Sequence, residues 1–542
     1  MIVATVLALM ALPLLVLRGR TLRTYLATDL TTWLLAWLVW RRVEGFDPHF
    51  GLVLLAVIKL ATFSSFLAVG RQVRWSVNRA ALLAAIVYGI TIPAMLQAPI
   101  DGDEPFYLLV TRSIVRDHDL DLANQYAAHA GADWKRPDLV PQFNDPRGAH
   151  GEQYSRHEPF LSLLMVPGYF LAGLYGALAT IGLFGVLLVR STLRWMEDEG
   201  VSSATARAVF PLFAFGTPVL FYATRIWPEV PAAFFFVEAL RGVREQRAKR
   251  WIPALLGLVL LKLRFVLVAV GIVASGLRRG WGPRRGSSAN RTRTLVLAFA
   301  VILVPLAVVW LITGDATSVH TWRELLPTSP RAYAIGFSGL WLDGMSGIAF
   351  QAPFYLFGLI ALVHWNKTPE GFRTGILASL LYVFYLVPRG EWFGGWAPPL
   401  RYLVFVMPVL ALGIASVWDR VSRAAVVIVA AWTLGLLVHG LRYPWRLFHE
   451  FTGENALGEW LAAHTGADFS RLFPSFIRLN TAAWWSVGVL AFFVVVQGAG
   501  RWAQSRGAQS RGAQSRGTEG AAGLAPAPRP LHPEWMGLFA LL

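Results

Sequence analysis

The chain alternates long apolar runs with short charged connectors. The runs fall near residues 2–17, 26–40, 50–69, 79–97, 172–195, 205–223, 229–241, 294–313, 350–364, 372–388, 401–417, 423–440 and 484–497. Many reach the roughly 20 residues that span the hydrocarbon core of a bilayer as a helix. Two stretches depart from this simple reading. Residues 159–195 are too many for one untilted span and predict a short interfacial helix at 159–170, followed by a crossing at 172–195. Residues 251–277 lie between two basic connectors, 241–250 and 278–293, so both ends face the same side. Twenty-seven residues reach only about 40 Å as helix. Two half-length helices therefore meet at the one polar turn, Lys262-Leu263-Arg264, and bare charges in lipid are so costly that this turn is expected to face a wet cavity. The pattern predicts an all-α polytopic membrane protein of about 13–15 helices and excludes a soluble globular enzyme.

Charge sets the expected sidedness. Of 542 residues only 15% are charged, with 49 basic against 32 acidic and a formal net charge of +17. Basic connectors mark the cytoplasmic side, so the excess needs no nucleic acid to explain it. Counting the connectors places the N-terminus outside and lets residue 98 emerge outside. The first run lacks a basic leader and a small-x-small cleavage site, and reads as a retained helix. Residues 98–158 reverse the trend with 11 acidic and 6 basic residues, as expected of an exported acidic loop carrying amphipathic helices. Expected outward connectors are 314–349, 389–400 and 441–483. Residues 1–78 form extra N-terminal helices, 79–440 the membrane core, and 441–497 an outer loop with the last helix. The tail 498–542 repeats Ala-Gln-Ser-Arg-Gly three times and reads as a disordered cytoplasmic segment. There is no cysteine, which excludes disulfides, thiolate metal sites and cysteine nucleophiles.

The candidate chemistry gathers on the outer side. The acidic loop opens Asp101-Gly102-Asp103-Glu104-Pro105-Phe106. From Pro105, apolar residues at Phe106, Leu109, Val110 and Ile114 predict an amphipathic helix lying on the membrane surface. Acids before a first-turn proline are ordinary helix caps, but this pair also sits where a carboxylate reaches both a lipid headgroup and a water-borne substrate. Asp117, Asp119 and Asp121 read as solvated helix-end charge. The loop closes Tyr154-Ser155-Arg156-His157-Glu158-Pro159-Phe160, where His157 can order a headgroup or the acid pair. Arg225 and Glu229 bracket a short outer turn, and either a mutual ion pair or a substrate contact accounts for them. Lys262 and Arg264 are the cations hardest to explain as solvated surface. Arg401, followed by Tyr402 behind the aromatic loop Trp392-Phe393-Gly394-Gly395-Trp396, is placed to grip a phosphate in bidentate fashion, and the same loop holds Arg389 and Glu391. Lys59 has no evident partner in the sequence. One acid pair with several cations is the inventory for transfer from an anionic lipid-linked donor, with a carboxylate taking the acceptor proton and cations stabilising the departing phosphate.

These residues also resemble the GT-C superfamily of membrane glycosyltransferases that use polyprenyl-phosphate sugars, near its protein O-mannosyltransferase and aminoarabinose transferase branch. Asp103-Glu104 matches the family's Asp-Glu pair. His157-Glu158-Pro159-Phe160 matches its His/Lys-Pro-Pro-Leu motif in part, with glutamate in place of the first proline. Arg225…Glu229, Leu260-Leu261-Lys262 (without the family's threonine) and Arg401-Tyr402-Leu403…Pro408 resemble three further motifs, in the family's order. The resemblance covers about residues 79–440. It implies an inverting transferase with Asp103 as base, Glu104 orienting it or the acceptor, and Lys262, Arg264 and Arg401 on the donor phosphate. It also implies a polyprenyl-phosphate-sugar partner, an extracytoplasmic acceptor (protein, lipid or polysaccharide) and a site at the outer face of the inner membrane of a prokaryote. A divalent cation at Asp103 and Glu104 is left open. The alternatives are a transporter or flippase of a lipid-linked or anionic solute, for which Lys59 and the Lys262–Arg264 turn speak, and a scaffold whose acidic loop binds a partner.

Overall fold

A computed structural model describes residues 76–142, 151–278, 329–448 and 473–486, with isolated positions at 23–30, 296–307, 453–466 and 488. The expected helices near 2–17, 26–40 and 50–69 with Lys59, most of the run at 294–313, the end of the run at 484–497, and the repeat-bearing tail lie outside the described residues. Among the described residues the protein is all-helical, with no strand.

The helices of ten or more residues are α1 Val77–Met95, α2 Glu104–Arg116, α3 Phe160–Asp198, α4 Ser203–Ala214, α5 Glu229–Arg244, α6 Ala248–Leu261, α7 Val266–Arg278, α8 Pro330–Leu342, α9 Glu370–Leu386, α10 Met407–Ser416 and α11 Arg423–Arg442. Three of these, α1, α3 and α11, are long and apolar enough to cross a membrane. At the centre, α3 packs against α1, α2 and α5; α5 in turn packs against α6 and the 3-10 turns Arg401–Val406. That arrangement brings the N-termini of α2, α3 and α5, the turn between α6 and α7, and the segment before α10 to one end of the bundle.

Two unusual sequence features are reproduced. The long run divides at Ala172-Gly173, where Gly173 adopts φ +56°. The turn is so tight that a β-carbon on Gly176 would lie 1.8 Å from the Gly168 carbonyl oxygen. Glycine serves two needs here: Gly173 takes the positive φ, and Gly176 admits the close approach of Gly168. Phe170, Leu171 and Tyr175 are exposed at its tip. Likewise α6 stops at Leu261, Lys262 is extended, and one 3-10 turn at Leu263–Phe265 leads into α7.

Other expectations need correction. The run at 205–223 is not one helix: α4 ends at Ala214, and a single turn Val219–Ala223 follows Pro218, which lacks the amide proton a helix would use. The run at 350–364 is chopped into Ile348–Gln351, Pro353–Phe357 and Gly358–Val363, with Pro353 at the break. Residues 330–342, expected in a connector, form α8, capped by the Ser329 hydroxyl on the Ala332 amide. The helix α2 has no open face over its first two turns. Residues 104–111 are buried on every side, against α3 and the loop. Its apolar stripe therefore reports the protein core, and Glu104, Thr111 and Ser113 are buried with it, whereas Arg116 in its last turn is exposed.

Candidate functional site

The acid pair opens α2, and its two members are treated differently. Asp103 occupies the N-cap position but makes no side-chain cap. Glu104 is entirely buried and fully engaged: its carboxylate accepts from the Arg225 Nε at 3.0 Å and from Nη2, from the Ile226 amide at 2.6 Å and from the Asp101 amide at 3.1 Å. Arg225, equally buried, also donates to the carbonyls of Met95 at 3.0 Å and Pro99 at 2.6 Å. Glu104 thus has no face left for an acceptor or a metal and fixes the start of α2 to the 225–227 turn. Of the expected alternatives for Arg225, the pair with Glu229 is overturned, because its guanidinium is bonded to Glu104 and to the carbonyls of Met95 and Pro99. Arg225 turns toward α1 and α2, whereas Glu229, in the first turn of α5, faces the α6–α7 turn.

Asp103 retains a quarter of its side chain exposed. One carboxylate oxygen accepts from Arg401 Nη2 and lies 4.0 Å from the His157 Nδ1. Burial works against its charge, but Arg401, then His157 and Lys262, hold the carboxyl below the usual carboxylate range. Arg401 reaches Asp103 because Leu400, at φ +64°, turns the chain just before it. Its guanidinium also donates through Nε to Glu229 at 3.0 Å and stacks 4.2 Å over the Trp227 ring. Gly102 admits the aromatic loop: a β-carbon there would lie 2.4 Å from the Trp396 carbonyl oxygen.

The α6–α7 turn completes the cluster. The Lys262 ammonium is 2.9 Å from Glu158 and 3.3 Å from the His157 Nδ1. Arg264 donates to Glu229 at 2.8 Å and lies 4.6 Å over the Tyr402 ring. The expectation of a water-facing turn is corrected: both cations are largely buried and neutralised by carboxylates. Because an ammonium only donates, His157 Nδ1 accepts, which leaves the proton on Nε2. Burial lowers the His157 pKa to about 4, so the ring is neutral near pH 7.

Lys262, Arg264 and Arg401 thus balance Asp103, Glu158 and Glu229. Several buried polar atoms of the cluster have no hydrogen-bond partner among the described residues: the Tyr107 and Tyr382 hydroxyls, His157 Nε2, Trp227 Nε1, Arg264 Nε, one Glu229 oxygen and the Glu158 oxygen that faces Lys262. Five of these seven donate hydrogen bonds or can do so, so the cluster offers more donors than the chain supplies acceptors. Sequence reading missed Tyr107 and Trp227. Their only local sign is an aromatic close behind a charge, Tyr107 three residues after Glu104 and Trp227 two after Arg225. The expected companions Arg389 and Glu391 are not drawn in: Arg389 packs on Tyr385, 5.0 Å from its ring. Asp117 and Asp119 are exposed at the end of α2, as expected, and with Asp121 they also tie the loop together through Gln125, Ser113 and the amides of Ala123 and Gln153.

The open question of a divalent ion is answered by fit. Among the described residues no group of three His, Asp or Glu side chains is arranged to hold a metal, and the carboxylates of Asp103 and Glu104 are turned to different arginines. The dyad does not form a cation site.

No known protein family, curated protein or solved structure matches this chain. What the fold and site define is a helical protein, with three helices long and apolar enough to cross a membrane and a buried, charge-balanced cluster at one end of the bundle.

Proposed function

We infer that the protein is an inverting glycosyltransferase that moves a sugar from a polyprenyl-phosphate donor to a hydroxyl acceptor. Its setting in this reading is a GT-C-like polytopic helix bundle in the inner membrane of a prokaryote, with the site on the extracytoplasmic face and the tail inside. The observation that carries the reading is the partly exposed carboxylate of Asp103 beside three buried cations and a surplus of hydrogen-bond donors. An acceptor-rich, anionic group meets those donors, and the phosphate of a lipid-linked sugar has that chemistry.

In the reaction the acceptor O–H gives its proton to Asp103 while its oxygen bonds to the anomeric carbon. The bond from that carbon to the phosphate oxygen breaks, and its electron pair leaves with the phosphate. A phosphate leaves as a stable anion, so no general acid is needed. Arg401 joins base and donor: when the donor phosphate takes part of its guanidinium, Asp103 is released from its ion pair and becomes more basic. Lys262 and Arg264 stabilise the growing charge, and neutral His157 donates from Nε2. Glu104 positions Asp103 through the first turn of α2.

The test is turnover of a panel of polyprenyl-phosphate sugars by membranes containing the chain, read as released polyprenyl phosphate. Asp103→Asn is expected to lower the rate by about 10²–10⁴, the usual contribution of a general base, without loss of folded protein. Near-normal turnover in that variant removes Asp103 from the role. Flux of a lipid-linked solute in proteoliposomes without acceptor puts a transporter in the enzyme's place.

A further inference from the structure

Glu158 stands where a bound oxyanion belongs. It follows His157 and precedes Pro159, the residue that caps α3. One of its oxygens accepts from the Leu263 amide at 3.0 Å, and the other meets the Lys262 ammonium at 2.9 Å. The Leu263 amide is available because the helix is interrupted at Lys262. A backbone N–H and an ammonium converging from one turn make a two-point anion cradle, and here a carboxylate of the chain itself fills it. Burial opposes the charge on Glu158, but Lys262 and the Leu263 amide together hold its carboxyl below its ordinary pKa. The Tyr107 hydroxyl and His157 Nε2, on two rings that pack against each other beside Lys262, have no hydrogen-bond partner among the described residues. A carboxylate has two oxygens and is bound at both; the donors around it call for a group with more.

We propose that Glu158 is a competing internal anion at the Lys262–Leu263 cradle, which a phosphate must displace, and that it makes the site select a singly charged phosphodiester over a doubly charged phosphomonoester. The proposal rests on reading this cluster as the donor-phosphate site. A phosphomonoester carries close to two charges at neutral pH, whereas a diester carries one. Glu158 occupies the cradle itself, and the three cations of the cluster are already balanced by Glu158, Asp103 and Glu229, so a second negative charge on the phosphate finds no free cation in a poorly screened setting. In the proposed reaction the donor is the diester and the departing lipid phosphate is the monoester. Glu158 therefore works against retention of the product and promotes its release.

The experiment uses the full chain in detergent with two probes, dodecyl phosphate and dodecyl methyl phosphate, and measures their affinities at pH 8. The wild type is expected to bind the diester more tightly. Glu158→Gln keeps an acceptor for the Leu263 amide but removes the charge, and is expected to tighten dodecyl phosphate about tenfold and the methyl diester distinctly less. Lys262→Met is expected to weaken both probes about tenfold or more. If Glu158→Gln leaves the ratio of the two affinities unchanged while Lys262→Met still weakens both, Glu158 is a plain counter-ion and the proposal is overturned, but the donor-site reading stands. If Lys262→Met binds both probes as the wild type does, the donor-site reading itself fails. Should Glu158→Gln not fold, the wild type decides alone. At pH 5 the monoester holds a single charge, and the two affinities are expected to converge; a ratio equal at pH 5 and pH 8 overturns the proposal.

Discussion

The two acids of the dyad are neighbours in sequence, yet the structure gives their removal opposite consequences. Glu104→Gln replaces a fully buried carboxylate that accepts from both arms of Arg225 and from two backbone amides. The variant leaves a buried guanidinium held only by the carbonyls of Met95 and Pro99 and by a neutral amide. Removing one partner of a buried pair typically costs about 3–5 kcal/mol, because the other charge stays buried without compensation. At roughly 2 °C per kcal/mol for a large domain, the apparent unfolding temperature in detergent falls by about 6–10 °C. Asp103→Asn removes a partly exposed carboxylate whose partner, Arg401, keeps Glu229, so the expected cost is within about 1 kcal/mol.

The assay is unfolding of both variants at one scan rate, since irreversible unfolding makes the midpoint depend on rate. It is combined with donor turnover under the same conditions. Asp103→Asn is expected to be stable and inactive; Glu104→Gln is expected to be unstable, with any loss of turnover tracking the loss of folded protein. If Glu104→Gln melts with the wild type, the pair with Arg225 is not buried as described, and the assignment of Glu104 as a positioning residue is wrong.

Other expectations follow from the same geometry. The His157 pKa of about 4 lies below its value in the unfolded chain, so its contribution is intact above about pH 6.5 and is lost as pH falls toward 4; the stability difference between wild type and His157→Gln is expected to shrink over that window, as thermal unfolding at pH 7.5 and 4.5 will report. Arg401→Gln removes the main cation holding the Asp103 carboxyl down, so the acid limb of the pH–rate profile is expected to move to higher pH while the maximal rate falls. Gly102→Ala combines a φ of +61° with a 2.4 Å clash against the Trp396 carbonyl and is expected to cost about 1–3 kcal/mol and much of the turnover; wild-type behaviour there means the aromatic loop does not seat on the dyad.

Much of the scaffold was legible wherever a local rule was broken strongly. Lys262 and Arg264 interrupt a run otherwise too apolar to tolerate them, and the chain breaks there. The run at 159–195 exceeds one crossing and contains Gly173, where it turns. Weaker breaks escaped notice, because Pro218 and Pro353 sit among residues whose hydropathy alone suggests continuous helix. The partners inside the site were not legible at all. Asp103 and Arg401 lie 298 residues apart, and Glu104 and Arg225 lie 121 apart. A spacing of four suggested that Arg225 answers Glu229. Spacing cannot say that Pro228 starts α5 and commits Glu229 to a different side of the turn.

The two ends of α5 carry the same residue types with different physical meaning. At its C-terminus Arg241, Arg244 and Arg250 meet Asp198, Glu199, Glu238 and Glu245, which offsets part of the basic surplus that the connector 241–250 suggested. Arg247 and Arg244 are open to solvent there. Water screens the pairs of Arg244 and Arg247, whereas Arg241 is buried there. Sixteen residues away, about 24 Å along the helix, Glu229 and its partners are dry. Desolvation makes a buried ion cluster a poor source of stability, since apolar side chains of similar volume often do as well. Stability alone thus does not account for the dry cluster around Glu229. The dry cluster is also the one with donors still lacking acceptors, so the energy withheld there is recovered only when an acceptor-rich anion enters. A cluster balanced in charge but not in hydrogen bonds favours a ligand that brings several oxygens and little added charge, which is the description of a phosphodiester.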